Sequence, residues 1–427
     1  MMNFRDFDIS DNVLKAIDDI GFDKTTPIQS KAIPLGLNGR DITAQAQTGS
    51  GKTVAFVIPI LEKVFVPDRS PQAIVLCPTR ELCIQVAGEI EKLSKYIKKF
   101  KVLAVYGGQP IGKQTRVLKK GVHVVVGTPG RVIDHIERGN MDLIGIETVV
   151  LDEADEMLDM GFRQDIERIL QATPHQRQTL LFSATIPQEI KRIAKNYQKN
   201  PKFIKIDSNR KNTPRITQYS FKTNHKHKFD DLCRLFDAYG IKSALIFANT
   251  KNGVDFVFKN LKKRGYPCEA LHGDMSQKTR DRVMNKFRNG NVSFLVATDV
   301  ASRGLDITNL DFIVNYDVPQ NYDSYIHRIG RTARAGSSGQ AFTLVSSQDI
   351  STFNAIKKQS KAKIIEKNIP TDSEIEDIKN KSVLKEIKKS IKTDNLEKEI
   401  ELIKKNSSND LTSEEIAAAL LKKLREN

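Results

Sequence analysis

Short apolar runs punctuate the chain in two successive series. The first occupies residues 73–77, 102–106, 122–126, 148–151 and 179–182; the second occupies 244–248, 294–297, 312–315 and 341–345. Each run is dense in Val, Ile, Leu and Phe and short for a helix, which predicts strands covered on both faces of a parallel sheet. Between them, stretches such as 80–93 and 254–264 space their apolar residues at helical intervals. Strand and helix alternating in this way predict an α/β fold with two doubly wound parallel-sheet domains. The change-over falls in the polar stretch 207–215, which contains Pro214. The expected organisation is a first domain over 1–207, a linker over 208–216, a second domain over 217–365 and a short α-helical C-terminal extension over 366–427. In the extension, Ser373…Glu376 and Thr412…Glu415 have the S/T-x-x-E capping-box form. Leu396, Ile400 and Ile403, then Ile416, Leu420 and Leu424, fit helix faces too sparse for a large core. Three outcomes stay open for them: packing on the body, pairing with another copy, or partial unfolding.

Composition narrows the class. The formal charge is +16, which suits a polyanionic partner. From Lys361 onward the chain carries 15 basic and 14 acidic residues, against 53 and 38 before it, so the surplus belongs to the folded body. No stretch has the apolar length of a membrane span, and the first residues lack a signal-peptide layout. Cys77, Cys83, Cys233 and Cys268 form no CxxC pair. They read as buried thiols of a reducing, cytoplasmic protein and not as a zinc site or disulfide framework.

Two strings carry chemistry. Ala46-Gln47-Thr48-Gly49-Ser50-Gly51-Lys52-Thr53 follows a strand end at 41–44 and opens an apolar helical stretch. This is a P-loop with Ala in place of its first Gly: small residues let backbone N–H groups wrap phosphates, Lys52 reaches the β and γ phosphates, and the Thr53 hydroxyl can ligate Mg²⁺. Asp152-Glu153 ends the run 148–151. In an open α/β sheet a carboxylate at that strand end can hold Mg²⁺, directly or through water, and its neighbour can orient or deprotonate the attacking water.

With these residues in place, Asp152-Glu153-Ala154-Asp155 resembles the name-giving motif of the DEAD-box ATP-dependent RNA helicases, bacterial cold-shock type. The rest of that family's motifs follow in order. Phe4, Gly21-Phe22 and Thr26-Pro27-Ile28-Gln29 resemble its adenine-recognising Q motif, with Phe4 to stack on the purine and the Gln29 amide to read its edge. Thr25 replaces the usual Pro and is expected to loosen the turn. Ser183-Ala184-Thr185 resembles the motif linking hydrolysis to strand separation, its hydroxyls bonding Asp155. The stretch 325–334 resembles the HRIGRTGR motif, with Ala333 in place of Gly. Arg331 and Arg334, three apart on one helix face, match its γ-phosphate arginines, Arg334 as the finger. His327 joins the coupling set, and Asp306 matches the ribose-binding acid.

The RNA-binding set follows strand ends. It comprises Thr79, Arg80, Gly107, Gly108, Thr128, Gly130 and Arg131 in the first domain, and Thr250, Gly273, Arg280, Thr298 and Asp299 in the second. Small residues, hydroxyls and guanidinium groups grip phosphates without reading bases. The resemblance implies tandem RecA-like domains, ATP and Mg²⁺ as cofactors, and single-stranded or short duplex RNA as substrate. It further implies local unwinding by clamping and bending without strong sequence preference, in ribosome assembly, RNA decay or cold adaptation. The alternative is an RNA chaperone or ATP-gated clamp. Partners implied are a second copy, through the segment 411–421 and its neighbours, and the ribosomal or RNA-degradation machinery, with no membrane.

Overall fold

The computed structural model describes residues 2–47, 49–206, 215–302, 310–333, 338–360, 363–393, 395–406 and 412–426. The chain divides between Thr213 and Pro214 into two compact units. The first is built on β1 (Ile42–Gln45), β2 (Ala73–Leu76), β3 (Val102–Val105), β4 (Val124–Gly127), β5 (Thr148–Leu151), β6 (Gln178–Ser183) and β7 (Lys202–Lys205). They form one sheet in the order β3-β4-β2-β5-β6-β1-β7, every pairing parallel. The second unit is built on β8 (Arg215–Lys222), β9 (Ala244–Phe247), β10 (Cys268–Leu271), β11 (Phe294–Ala297), β12 (Phe312–Asn315), β13 (Ser338–Val345) and β14 (Ile364–Lys367). Its order, β10-β11-β9-β12-β13-β8-β14, repeats the first position by position, again all parallel. These are two RecA-like sheets flanked by helices.

The interior strands β2, β4, β5, β9 and β11 are buried at every residue. Helices on both faces exclude water, so apolar side chains are favoured on each side of the pleat. In the first unit the core lies in two layers. Phe56 and Phe182 meet on one side with ring centroids 5.4 Å apart, and Val149, Leu151, Ile166 and Ile169 fill the other. In the second, Phe221 and Phe342 pack at 5.3 Å. The cysteines are free thiols; Cys77, Cys83 and Cys233 are buried and Cys268 half-buried.

Several expectations need correction. β8 begins inside the expected linker 208–216, and β14 runs past residue 365, where the second domain was expected to end. Both pair within the second sheet. The capping box expected at Ser373…Glu376 lies two residues earlier. Thr371 and Glu374 exchange the two capping hydrogen bonds, at 3.3 and 2.8 Å, and Ser373 is already inside the helix Asp372–Thr393. The box Thr412…Glu415 forms as read, at 3.2 and 2.8 Å. No helix among the described residues is long and apolar enough to cross a membrane.

Candidate functional site

Parallel strands deliver all their C-terminal ends to one edge of a sheet. Along that edge of the first unit, β3, β4 and β2 lead into Gly107-Gly108, Thr128 and Thr79. The next three strands, β5, β6 and β1, lead into Asp152-Glu153, Ser183 and the P-loop. Neighbouring strands lie about 5 Å apart, so the loops after β3, β4 and β2 and the groups after β5, β6 and β1 form adjoining halves of one rim.

The P-loop connects β1 to the helix Lys52–Lys63. Gly49 and Gly51 take φ of +79° and +89°, in the left-handed region that glycine enters without a steric penalty. A Cβ on Gly51 would also stand 2.6 Å from Gln29 Nε2, so the loop closes directly on that amide. Gln29 is 4% exposed, and Thr26 and Gln29 cap the helix Pro27–Leu37. Gln29 Oε1 accepts from the Thr26 N–H at 2.8 Å, and Nε2 donates to the Gly51 carbonyl at 3.1 Å. Each amide atom keeps a second hydrogen-bonding capacity for a base edge. Thr25 does not loosen this turn: its N–H and its hydroxyl both donate to the Met2 carbonyl at 3.0 Å. Phe4 also departs from its reading. Its ring is 2% exposed and part of the hydrophobic core, so in this state it anchors the N-terminal turn and offers no open face to a purine.

Lys52 is 6% exposed, and its ammonium is buried with no hydrogen-bond partner among the described residues. A desolvated, unpaired cation is costly, and a phosphate on the left-handed loop is the group that offsets it. Asp152, 2% exposed, has its pKa pushed up to about 7, chiefly by burial and further by Glu153, while Lys52 pulls it back. A buried carboxylate so short of positive charge suits a divalent cation, and Thr53, which follows Lys52, supplies a hydroxyl from the same loop. Glu153 adopts φ 51°, ψ 51°, a left-handed conformation that costs a side-chain-bearing residue roughly 1–2 kcal/mol. Strain of this kind clusters at functional positions. Asp155 is held on both sides. Its N–H donates to Ser183 Oγ at 3.2 Å, and its Oδ2 accepts from the N–H and hydroxyl of Thr185 at 2.7 and 2.9 Å. The carboxylate thus ties the helix Ala154–Asp159 to the end of β6.

The loops beside this site are built from helix caps. The Thr79 hydroxyl accepts from the Leu82 N–H at 3.3 Å, and the Arg80 guanidinium lies 4.7 Å above the Tyr106 ring. Gly107 and Gly108 are exposed, the latter at φ +82°. Thr128 precedes the helix Pro129–Glu137, with Gly130 in its first turn. Arg131 does not project outward as expected. It donates to the Gln109 carbonyl and Gln114 Oε1, both at 3.1 Å, and pairs with Asp134 at 3.4 Å.

In the second unit, exposed Thr250 caps the helix Lys251–Lys263, and Gly273 is exposed. The Thr298 hydroxyl accepts from the Ala301 N–H, and Arg280 donates to the Ala301 carbonyl. Asp299 departs from its reading as a phosphate contact, because its two oxygens accept a fork from Arg328 at 2.6 and 2.7 Å. Arg328 is 1% exposed and also donates to Asn249 Oδ1, Asn315 Oδ1 and the Asp317 carbonyl. One side chain therefore fixes the ends of β9, β11 and β12. Half-buried His327 stands beside it in the last turn of the helix Tyr322–Ile329. Arg331 lies in a turn beyond that helix and not on the helix face expected for it. The chain leaves the helix at Gly330, the Thr332 hydroxyl donates to the Leu310 carbonyl, and Ala333 turns to φ 55°. Thr48, Asp306 and Arg334 lie outside the described residues.

Sequence reading missed Gln114, Lys228 and Asp317. Lys228 is 5% exposed; its ammonium donates to Asp317 Oδ1 at 2.7 Å and lies 4.8 Å above the Tyr316 ring. Asp317 Oδ2 accepts from the Asn249 N–H at 3.0 Å. No local string announces these partners, which the topology brings together from distant strands.

Residues 26–193 match the DEAD/DEAH box helicase family, residues 227–336 the helicase conserved C-terminal domain, and residues 370–427 the RNA helicase DeaD dimerization domain. The chain is 50% identical over 371 residues to DEAD-box ATP-dependent RNA helicase CshA of Geobacillus kaustophilus, covering 87% of this chain and 79% of that protein. It is 47% identical over 370 residues to the protein of the same name from Bacillus subtilis, covering 87% and 75%. Among solved structures it resembles S. cerevisiae Dbp5 bound to RNA and ADP BeF3, with a TM-score of 0.77 and 34% identity over 88% of this chain and 98% of that one. A P-loop string and Asp152-Glu153-Ala154-Asp155, two matching sheets and relatives this similar place the chain in the DEAD-box family of ATP-dependent RNA helicases, which makes it an RNA-stimulated ATPase.

Proposed function

We propose that this helicase grips an RNA strand by its backbone and uses ATP to draw its two units together, bending the strand and locally unpairing a short duplex. The observation that carries this reading is the order of loops along one sheet edge, where phosphate-gripping loops adjoin the nucleotide groups. The P-loop glycines and Lys52 hold the β and γ phosphates. Gln29 reads the adenine edge, with Thr26 holding it and Phe4 backing the turn, and Asp306 holds the ribose. Mg²⁺, when bound, neutralises phosphate charge, and Thr53 and Asp152 are the residues that would hold it. Glu153 orients the attacking water. Arg331 and Arg334 approach the transferring phosphoryl group in the RNA- and ATP-bound state, where an arginine contributes about 10³–10⁵ in rate. Asp155, through Ser183 and Thr185, passes the state of the site to the strand end, with His327 on the other unit.

RNA lies on Thr79, Arg80, Gly107, Gly108, Thr128 and Gly130, then on Thr250, Gly273, Arg280 and Thr298. Arg131 and Asp299 support this surface from within. Contacts of this kind hold phosphates and read no bases, so sequence preference is weak. Lys52→Ala tests the reading: ATP hydrolysis falls to background with and without RNA, and a variant that still turns over removes the P-loop from the mechanism.

The helical extension is proposed to pair with a second copy. Its helices carry Ile378, Leu384, Ile391, Ile400 and Leu420 exposed, at 41–61%, among charged residues, and it matches a dimerization family. Light scattering at micromolar concentration reads the mass; a monomer there overturns this part.

A further inference from the structure

We infer that Gln114 is a positioning residue for RNA binding, a single neutral side chain that holds together two RNA loops of the first unit, with Tyr106 carrying the link on to the third. The inference rests on the reading of those loops as the RNA grip.

Gln114 belongs to none of the family motifs. It lies in the helix Ile111–Lys119, where it is the one buried residue, at 3% exposure. An amphipathic surface helix ordinarily buries an apolar stripe. Here the side chain turned inward is a carboxamide, and both of its ends are hydrogen-bonded. Nε2 donates to the Tyr106 carbonyl at 3.0 Å, the peptide that leads into Gly107-Gly108. Oε1 accepts from Arg131 Nη1 at 3.1 Å and from His135 Nε2 at 2.9 Å, both on the helix that opens with Thr128-Pro129-Gly130. Tyr106 extends the set to the third loop, because its ring lies under the Arg80 guanidinium at 4.7 Å.

The chemistry selects glutamine. The loop at Tyr106 presents an acceptor and the helix Pro129–Glu137 presents two donors, so the group between them needs one donor and one acceptor on a short rigid fork. Arg131 cannot turn toward solvent without giving up its bonds to Gln114 and to the Gln109 carbonyl. His135 is completely buried, and burial chiefly, with Arg131 adding to it, lowers its pKa. The neutral ring carries its proton on Nε2, since a carboxamide oxygen can only accept. Two loops that must meet successive phosphates are thereby fixed relative to each other before RNA arrives, which reduces the ordering cost of binding.

The test is the RNA dependence of ATP hydrolysis, titrated with a short single-stranded oligoribonucleotide, in the full chain. Gln114→Leu keeps the volume and removes every bond. The half-saturating RNA concentration rises about five- to tenfold, the scale of one or two lost hydrogen bonds, while kcat at saturating RNA stays within about twofold. A role confined to stability would lower the melting temperature without this split. Gln114→Glu keeps the acceptors for Arg131 and His135, removes the donor to Tyr106 and sets a carboxylate oxygen against the Tyr106 carbonyl. It also raises the half-saturating concentration, and it decides the matter if Gln114→Leu fails to fold. Arg80→Ala is the reference for the loops themselves. A raised value in Arg80→Ala with unchanged values in both Gln114 variants overturns the inference alone. Unchanged values in all three overturn the reading of the loops, and the inference with it.

Discussion

The two units place a lysine and an aspartate at matching points of one topology and use them in opposite ways. Lys52 opens the helix after β1, and Lys228 opens the helix after β8; β1 and β8 hold the same rank in their sheets. Asp152 follows β5 and Asp317 lies just beyond β12, again at the same rank. In the first unit the glycine-bearing loop 46–51 leaves the ammonium without a partner and the carboxyl pushed up to about 7. In the second, the loop 223–227 contains no glycine, and the lysine and aspartate meet at 2.7 Å. The pair closes on itself there, and its spare oxygen steadies Asn249, next to Thr250, which caps the following helix. The same scaffold therefore supports a site held open for a ligand or a strut closed by an ion pair. What separates the two is the backbone freedom of one loop.

Substitutions at the paired positions can break this contrast. The largest effect falls on turnover. Lys52→Met removes phosphate binding, and ATP hydrolysis drops by about 10³ or more, while calorimetry shows the unfolding of the first unit changed by no more than about 1 kcal/mol. A strongly destabilised variant would mean that Lys52 is a structural strut like its counterpart. Next comes Lys228→Met, which takes the cation from half-buried Asp317 and lowers the stability of the second unit by about 1–3 kcal/mol, read by denaturant titration. Lys228→Met combined with Asp317→Asn removes both charges of the 2.7 Å pair, leaves only Asp349, 3.9 Å from the ammonium, deprived of the lysine, and recovers most of that loss; no recovery would show that the two side chains do not act as a pair. The smallest effect belongs to Ala333→Gly. It relieves a left-handed backbone and stabilises the second unit by about 0.5–1 kcal/mol, and a neutral or destabilising outcome would mean that the buried methyl group compensates for the strain.

Legibility followed the range of the interaction. The strands β2, β4, β5, β9 and β11 announced themselves as apolar runs because both faces are covered. The strands β7, β8 and β14 did not, since polar and charged residues interrupt their apolar ones. The P-loop and Asp152-Glu153 could be read because their chemistry lies within one short string. Arg131 and Asp299 were read as outward-facing because a sequence shows a charge and not its partner. Gln114, Lys228 and Asp317 gave no signal, since each matters through residues brought in from other strands. Thr25 and Arg331 failed for a nearer cause: one hydroxyl found the Met2 carbonyl, and one helix stopped at Gly330.

The bond between Gln29 and Gly51 has a consequence for fidelity. The amide proposed to read the nucleobase and the peptide of the glycine loop are one mechanical part. A base presenting the wrong edge would pull on that amide, and the pull would reach the loop under the reacting phosphates. Discrimination between adenosine and guanosine triphosphates is therefore expected to appear in the rate of cleavage and not in occupancy alone. The enzyme would sort fuels by how well they burn as much as by how well they fit.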